Sequence, residues 1–523
     1  MTPIDYTIVV VYLLGIVLVG LWLQKKASAG IDSYFLGDRG IPWWALGASG
    51  MASNLDVSGT MINTAFVFAL GASGFFIEIR GGVTLIMAFL MIFMGKWNRR
   101  AQVMTLAEWM RFRFGKDRDG DVARIISAIS VIVITIAMIT YFAIGSGKFI
   151  AEFLGIPSFW GLSSEFWAST LMIGLAMIYT VASGLYGVVW TDVFQGLLIF
   201  GTIAFICIMV FTQYVLPDVF NVSLPLREGG HLAMQTTKEA WTSVVPKWNL
   251  NIPQESSYSI YNLFGIAILF YLFKVTIEGS GGTSGYMIQR YFAARSDREA
   301  GLLSLFWTFL LSFRWPFIVA IAMLGISYGA SHGVIGDPER VLPVVIDRMV
   351  PLGVRGLLVA GLMAAAMSTF DSTVNAGAAY WVKDIYQAYI NPDASEKTLM
   401  RHSRWASVII VLLGLFFSIF IRNINEIWGW ITMSIGAGML IPQLLRWYWW
   451  RLNGYGFAIG TVVGMVAAIL QKYFFPQVPE YVSFLWASGT SLIGLILGTY
   501  LTKPTPSHVL FNFYRTTRPF GWW

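Results

Sequence analysis

The chain has 523 residues, 56 % hydrophobic and 12 % charged, with a mean hydropathy of +0.66. A soluble domain carries about 25 % charged residues, so a soluble enzyme or scaffold is excluded; apolar runs of about 20 residues exclude a β-barrel, whose strands alternate over ~10. The net charge of +7 does not mark a nucleic-acid binder, because its carriers gather at the ends of apolar runs, where a lipid headgroup layer would lie.

Composition and period predict an all-α polytopic membrane protein of one domain. Thirteen spans are expected, at roughly 4–24, 42–71, 74–97, 124–151, 165–186, 188–216, 259–287, 300–329, 353–386, 403–421, 424–446, 455–474 and 483–502. The first run is followed by Lys25-Lys26 rather than a small-residue cleavage site, so it reads as a span and not as a removed signal. The second is interrupted by ASNLDVSGT (52–60), which puts Asp56 in mid-span. The third carries Glu78 and Arg80 near one end. Basic clusters follow at KWNRR (96–100), RFRFGKDR (111–118) and RWYWWR (446–451). If the N-terminus is outside, these fall on the cytoplasmic side, as the positive-inside rule requires. The C-terminus is then cytoplasmic, and the location is a cell membrane, expected to be a bacterial inner one. Cys207, the one cysteine, lies within a span, so no intrachain disulfide can form.

The break at 217–258 contains Pro217, Pro225, Pro246 and Pro253 and reads either as an ordered lid or as a plain connector. The seventh span is interrupted at EGSGGTSG (278–285), five spans after the first interruption, and holds Lys274 one turn before Glu278. Matched breaks of this kind mark inverted-repeat transporters, whose freed backbone groups bind ions and solute near the midplane. The expected core is therefore five plus five spans, 42–216 and 259–446, each repeat opening on a broken helix. Spans 4–24, 455–474 and 483–502 are extra. In the ninth span, GLMAAAMSTFDSTVNA (361–376), Ala365, Ser368, Thr369 and Ser372 stand at i, i+3, i+4 and i+7 and share one face. Lipid offers those hydroxyls no partner, so the face should turn toward protein, a wet cavity or an ion.

Each feature also has a plainer reading. Ser and Thr can bond back to carbonyls one turn earlier, and Asp56 can cap the helix after the break. Lys274 with Glu278, and Arg80 with Glu78, can neutralise one another, while Trp428 and Trp430 can belong to an interfacial belt. An intramembrane enzyme is disfavoured because His231, His332, His402 and His508 all fall in predicted loops or tails. A channel or a transporter-derived sensor is the remaining alternative class.

Four stretches, SNLDVSG (53–59), SGLYGVVWTDVFQG (183–196), YMIQRYFAARSDREA (286–300) and MAAAMSTFDS (363–372), make the chain resemble the sodium/solute symporter family over nearly its whole length. That family includes proline, sugar and sialic acid symporters and sodium–glucose transporters. The resemblance implies a Na+ site on the carbonyls of Asn54, Val57 and Ala365 and the hydroxyls of Ser368 and Thr369; hard cations take oxygen ligands. It implies a possible second sodium at Asp192, Ser368, Asp371 and Ser372, where Asp371 departs from the family's serine. Asp56 matches an aspartate that proline symporters carry and sugar symporters replace. The sugar-contact positions fall at Met61, Ile277 and Ser280 and preserve none of the family's sugar ligands. Solute-binding candidates are thus Asp56, Met61, Glu78, Arg80, Lys274, Glu278, Ser280 and Trp430. The expected activity is inward sodium-coupled uptake of a small polar organic solute, a sugar or polyol ahead of a carboxylate or amino acid. Oligomeric state is not legible.

Overall fold

In a chain this apolar, a backbone crossing lipid must bond to itself, and helices do so within one segment. The computed structural model describes residues 1–27, 35–281, 285–421, 423–475 and 478–522. Each of the thirteen predicted stretches contains helix among the described residues. Among the described residues, nine helices are long and apolar enough on their own to cross a membrane, and ten if the bent pair Ser73–Gly81 and Val83–Arg100 is one span. Leu18, Leu269, Leu412 and Leu497 are among many large apolar side chains left exposed around the bundle. In water such a surface would aggregate; in a bilayer it is the solvated one.

The first interruption falls where expected. Helix Trp43–Asn54 ends at Leu55, and Val57–Leu70 begins after Asp56, whose extended backbone (φ −65°, ψ 155°) turns the chain. The seventh span is helical over Phe264–Gly281 and again over Gly285–Phe292; residues 282–284 of its expected break lie outside the described residues.

The fifth and sixth predicted spans form one helical stretch, Ser164–Gln213, of 50 residues. A straight helix of that length would be about 75 Å long, more than twice a bilayer core. Yet Glu165 at its start pairs with Arg340, and the strand that follows its end donates from Ser223 Oγ to the Ile335 carbonyl at 2.6 Å. Both ends therefore lie at the same face of the bundle. The stretch makes two passes, through the apolar halves Ser164–Ile178 and Gly187–Gln213.

The all-α class holds, with one small addition outside the helices. Val219–Pro225 and His231–Thr237 pair as an antiparallel hairpin inside the 217–258 segment. Strands are tolerated there because the hairpin sits outside the apolar helices, where edge groups can meet water. Trp241 anchors it to the end of the broken helix, its Nε1 donating to the Phe68 carbonyl at 3.2 Å while its own carbonyl accepts from Ala72 N at 2.8 Å. The chain turns there at Gly71 (φ +61°), where a Cβ would fall 2.1 Å from the Trp241 carbonyl oxygen. Only glycine fits.

Helix Val354–Ala379, continuing with π-type turns to Ile390, is the axis. Its apolar window is 94 % buried, against 44–67 % for the other spanning helices. It packs on Ser164–Gln213, Pro3–Ala27, Arg118–Leu154 and Trp43–Asn54. At the face opposite the hairpin, the basic clusters close on backbone carbonyls and aromatic rings. Arg113 Nε donates to the Arg446 carbonyl at 2.9 Å, and the Arg446 guanidinium lies 4.3 Å over Trp109. The final helix, Ser507–Thr517, packs Phe513 against Trp109, so this tail aromatic is buried in protein and not at a lipid surface.

Candidate functional site

Breaking a helix leaves carbonyls and amides without partners at both new ends. At this break Asp56 answers part of the need: its Oδ2 accepts from Gly59 N at 2.9 Å, and its carbonyl accepts from Thr60 Oγ1 at 2.7 Å. The capping reading of Asp56 is therefore observed. On the other side, Thr369 Oγ1 reaches from the axial helix to the Ser53 carbonyl at 2.8 Å and also bonds back to the Ala365 carbonyl at 2.9 Å. Ser368 and Ser372 face Ser53 Oγ at 3.4 and 3.2 Å. All these hydroxyls are buried. The predicted polar face thus meets the broken helix, a set of neutral oxygens suited to a monovalent cation. Of the expected carbonyl donors, Asn54 accepts from Arg314 Nη1 at 3.1 Å. Val57 opens the following helix.

The residues expected to hold a second sodium surround an arginine. Arg290 Nη2 donates to Ser49 Oγ and Ser53 Oγ, both at 2.8 Å, and to Ser372 Oγ at 3.2 Å. Asp192 Oδ2 lies 3.8 Å from it and accepts from Ser49 Oγ at 2.5 Å. Ser368 and Asp371 are both buried on the axial helix. Arg290 sits in one of the stretches that carried the resemblance, and its charge bears directly on Asp192. Only the fold brings residues 192 and 290 together.

Two cavities of about 210 and 200 Å³ open next to the break and share Asn54, Gly81, Val83, Met138 and Trp428 in their walls. The first is lined by Asp56, Asn63, Glu78, Tyr141, Arg314 and Thr369, among others. The second is lined by Lys274 and Glu278. A third, of about 680 Å³, lies under the hairpin and contains Trp430, Lys148 and Glu480. Lys148 pairs there with Glu339 at 2.6 Å; burial raises the Glu339 carboxyl above the ordinary range, and Lys148 opposes the shift.

These cavities sort the solute candidates. Asp56 and Glu78 face the first, Lys274 and Glu278 the second, and Trp430 only the third. Met61 lines none of the three: it follows Gly59 by two positions, which turns it about 200° around the helix from the cavity side. Ser280 lines none either, and its carbonyl accepts from Tyr448 Oη at 2.7 Å. Lys274 does pair with Glu278, at 2.6 Å, and also donates to the Arg80 carbonyl at 2.8 Å. The expected Arg80–Glu78 pair is not formed. Arg80 is buried against Glu480, Asn425 and Tyr261, the last at 2.8 Å, because a carboxylate from a distant helix lies closer to its guanidinium. That cluster separates the third cavity, which Asn425 and Glu480 line, from the first two. Arg314 was missed altogether. Its signal was plain in the sequence, an arginine within a predicted span.

A model of the sodium:solute symporter family matches residues 34–464. The chain belongs to the sodium:solute symporter family. It is a sodium-coupled transporter and not an enzyme. Among its relatives, the symporter is 27 % identical over 508 residues to sodium/glucose cotransporter 4 of Danio rerio, covering 89 % of this chain and 72 % of that one. It is 26 % identical to the sodium/glucose cotransporter of Vibrio parahaemolyticus (90 % and 85 % covered) and 24 % identical to sodium/myo-inositol cotransporter 2 of Mus musculus (90 % and 70 %). The fold is that of a Na+-coupled sialic acid symporter in a substrate-bound outward-open state, with TM-score 0.71, 20 % identity, and 97 % of this chain and 99 % of that one covered.

Proposed function

We propose that this symporter carries sodium and a small polar organic solute into the cell together, by alternating access. The sodium sits among the carbonyls of Asn54, Val57 and Ala365 and the hydroxyls of Ser368 and Thr369, and the solute sits in the first cavity. One observation supports this above the others: Thr369 bridges the axial helix to the broken one and also lines the cavity. An ion bound there ties two helices together at the wall of the solute site, so that ion and solute favour the same arrangement, and the coupling is reciprocal. One charge moved through about 100 mV supplies about 2.3 kcal/mol, enough for a roughly fifty-fold solute gradient. The hairpin then faces outward and the basic clusters face the cytoplasm, with 42–216 and 259–446 as the moving repeats.

A single sodium is the stoichiometry the charges favour, because the Arg290 guanidinium already supplies the cation beside Asp192. The names of the relatives make glucose and myo-inositol natural first solutes, although the positions of sugar contact are not preserved. The test is uptake into proteoliposomes under an imposed sodium gradient. Ser368→Ala and Thr369→Ala should each raise the sodium concentration for half-maximal uptake by about tenfold, the loss of roughly 1.4 kcal/mol of a charge-assisted contact. Unchanged sodium activation in both would refute the site.

A further inference from the structure

Most buried charges in this bundle are paired. Lys274 meets Glu278, Arg80 meets Glu480, Arg290 meets Asp192, and Arg124 meets Asp384 at 2.7 Å. At the first cavity, apart from the helix-capping Asp56, two half-buried charges are exceptions. Arg314 spends one nitrogen, Nη1, on the Asn54 carbonyl, while its buried Nε and Nη2 have no acceptor among the described residues. Glu78 Oε2 is buried without a donor among the described residues. Neither Glu78 nor Asp56 lies within 4 Å of the guanidinium. Both exceptions line the same 210 Å³ space. Gly59 leaves room for both the arginine and the capping aspartate, since a Cβ there would fall 2.7 Å from Arg314 Nη2 and 2.7 Å from Asp56 Oδ1.

We propose that the solute is a zwitterion of the amino-acid class, its carboxylate taken by Arg314 and its ammonium by Glu78. This rests on the symport reading and narrows the solute of the same site. A guanidinium presents a fork that matches a carboxylate, and an unpaired buried charge is costly. A neutral sugar would leave both ends of the cavity unmatched, and a simple carboxylate would leave Glu78 alone. Asp56 does not spoil the balance, because its carboxylate caps the helix next to the proposed sodium. The walls between the two charges are aromatic. Phe75 lies edge-on to Trp315 with centroids 5.0 Å apart, and Tyr141 lies 5.1 Å from Trp428. They suit an apolar or aromatic side chain more than a ring of hydroxyls. Asn63, whose side-chain amide is buried without a partner among the described residues, adds a neutral donor and acceptor.

The experiment uses the full chain in proteoliposomes with a sodium gradient. The common L-amino acids are tested beside glucose and myo-inositol. Any amino acid taken up is then compared with its primary amide, which lacks the carboxylate, and its 2-hydroxy acid, which lacks the ammonium. At least one amino acid should be carried, with each analogue weaker by about thirtyfold or more, as expected when one partner of a buried charge pair is removed. Arg314→Gln should abolish discrimination against the amide and Glu78→Gln discrimination against the hydroxy acid. A folding defect would weaken all probes alike and could not remove one discrimination at a time. Should the glutamine variant of Arg314 not fold, Arg314→Lys should retain part of the discrimination against the amide, and full retention would overturn the fork. Sodium-driven uptake of glucose or myo-inositol with no amino acid carried overturns the zwitterion and leaves the coupling intact. No sodium-dependent uptake of any probe, with no sodium-dependent thermal stabilisation, overturns the coupling and the zwitterion with it.

Discussion

Arg290 and Asp192 show how one residue can change the reading of a site. A buried carboxylate on a transport path draws cations, yet a guanidinium fixed by three serine hydroxyls already stands 3.8 Å away. Removing one partner of such a pair leaves the other unmatched and costs roughly 3 kcal/mol or more. Arg290→Gln should therefore lower the thermal midpoint sharply at low sodium and regain part of it as sodium rises, because a second ion then finds Asp192 and binding favours the folded state. The wild type should activate with a Hill coefficient near one and the variant above one. A variant with unchanged sodium dependence would remove Arg290 from the ion balance. Lys274 makes a useful contrast: it is bonded to both Glu278 and the Arg80 carbonyl, so its charge is accounted for within the protein.

At the scale of elements, the break in the second span depends on local chemistry. Asp56 caps the helix that follows, and replacing a capping aspartate by alanine costs about 1 kcal/mol. Asp56→Ala should lower thermal stability by that order and weaken sodium activation as well, since the same turn presents Asn54 and Val57. Close packing holds the preceding helix in place. At Gly50 a Cβ would fall 2.3 Å from the Trp307 ring, so Gly50→Val should separate Trp43–Asn54 from Asp297–Ser312 and abolish stable folding, measured as loss of a monodisperse peak on size exclusion. The Arg80 cluster links the third span to Glu480 at the start of Glu480–Leu501. Glu480→Gln weakens that seal between the hairpin-side cavity and the inner two, and a cysteine placed at Trp428 in that background should react faster with a soluble thiol reagent than the same cysteine with Glu480 intact.

Across the whole molecule, the proposed orientation follows from where the basic residues collect. In a Cys207→Ser background, a cysteine at Glu239 should be modified by a membrane-impermeant reagent in intact cells, and one at His508 only after permeabilisation. The reverse pattern would invert the topology, and with it the direction of uptake.

Much of this architecture was legible without coordinates. The length of each apolar run places the helices, because only a self-bonded backbone survives in lipid, and residues 54–57 with 365–372 announce polar groups where lipid would not accept them. Such signals are local: period, composition and a break can be read along the chain. The hairpin at 219–237 escaped because it is short, lies outside the apolar spans, and is held by Trp241 against a helix end remote in sequence. The partner of Arg80 is four hundred residues away, Arg290 meets Asp192 from another helix, and Arg314 forms no ion pair with a carboxylate among the described residues. Which charge neutralises which, and which stays open to a solute, depends on distances between helices that no window of sequence encodes. Composition and period along the chain gave the membrane spans, the break and the hydroxyl face, and the family resemblance implied sodium symport. Packing alone decided the charge pattern inside it, because electrostatic energy at low dielectric falls off over a few ångströms and only the folded bundle sets those separations.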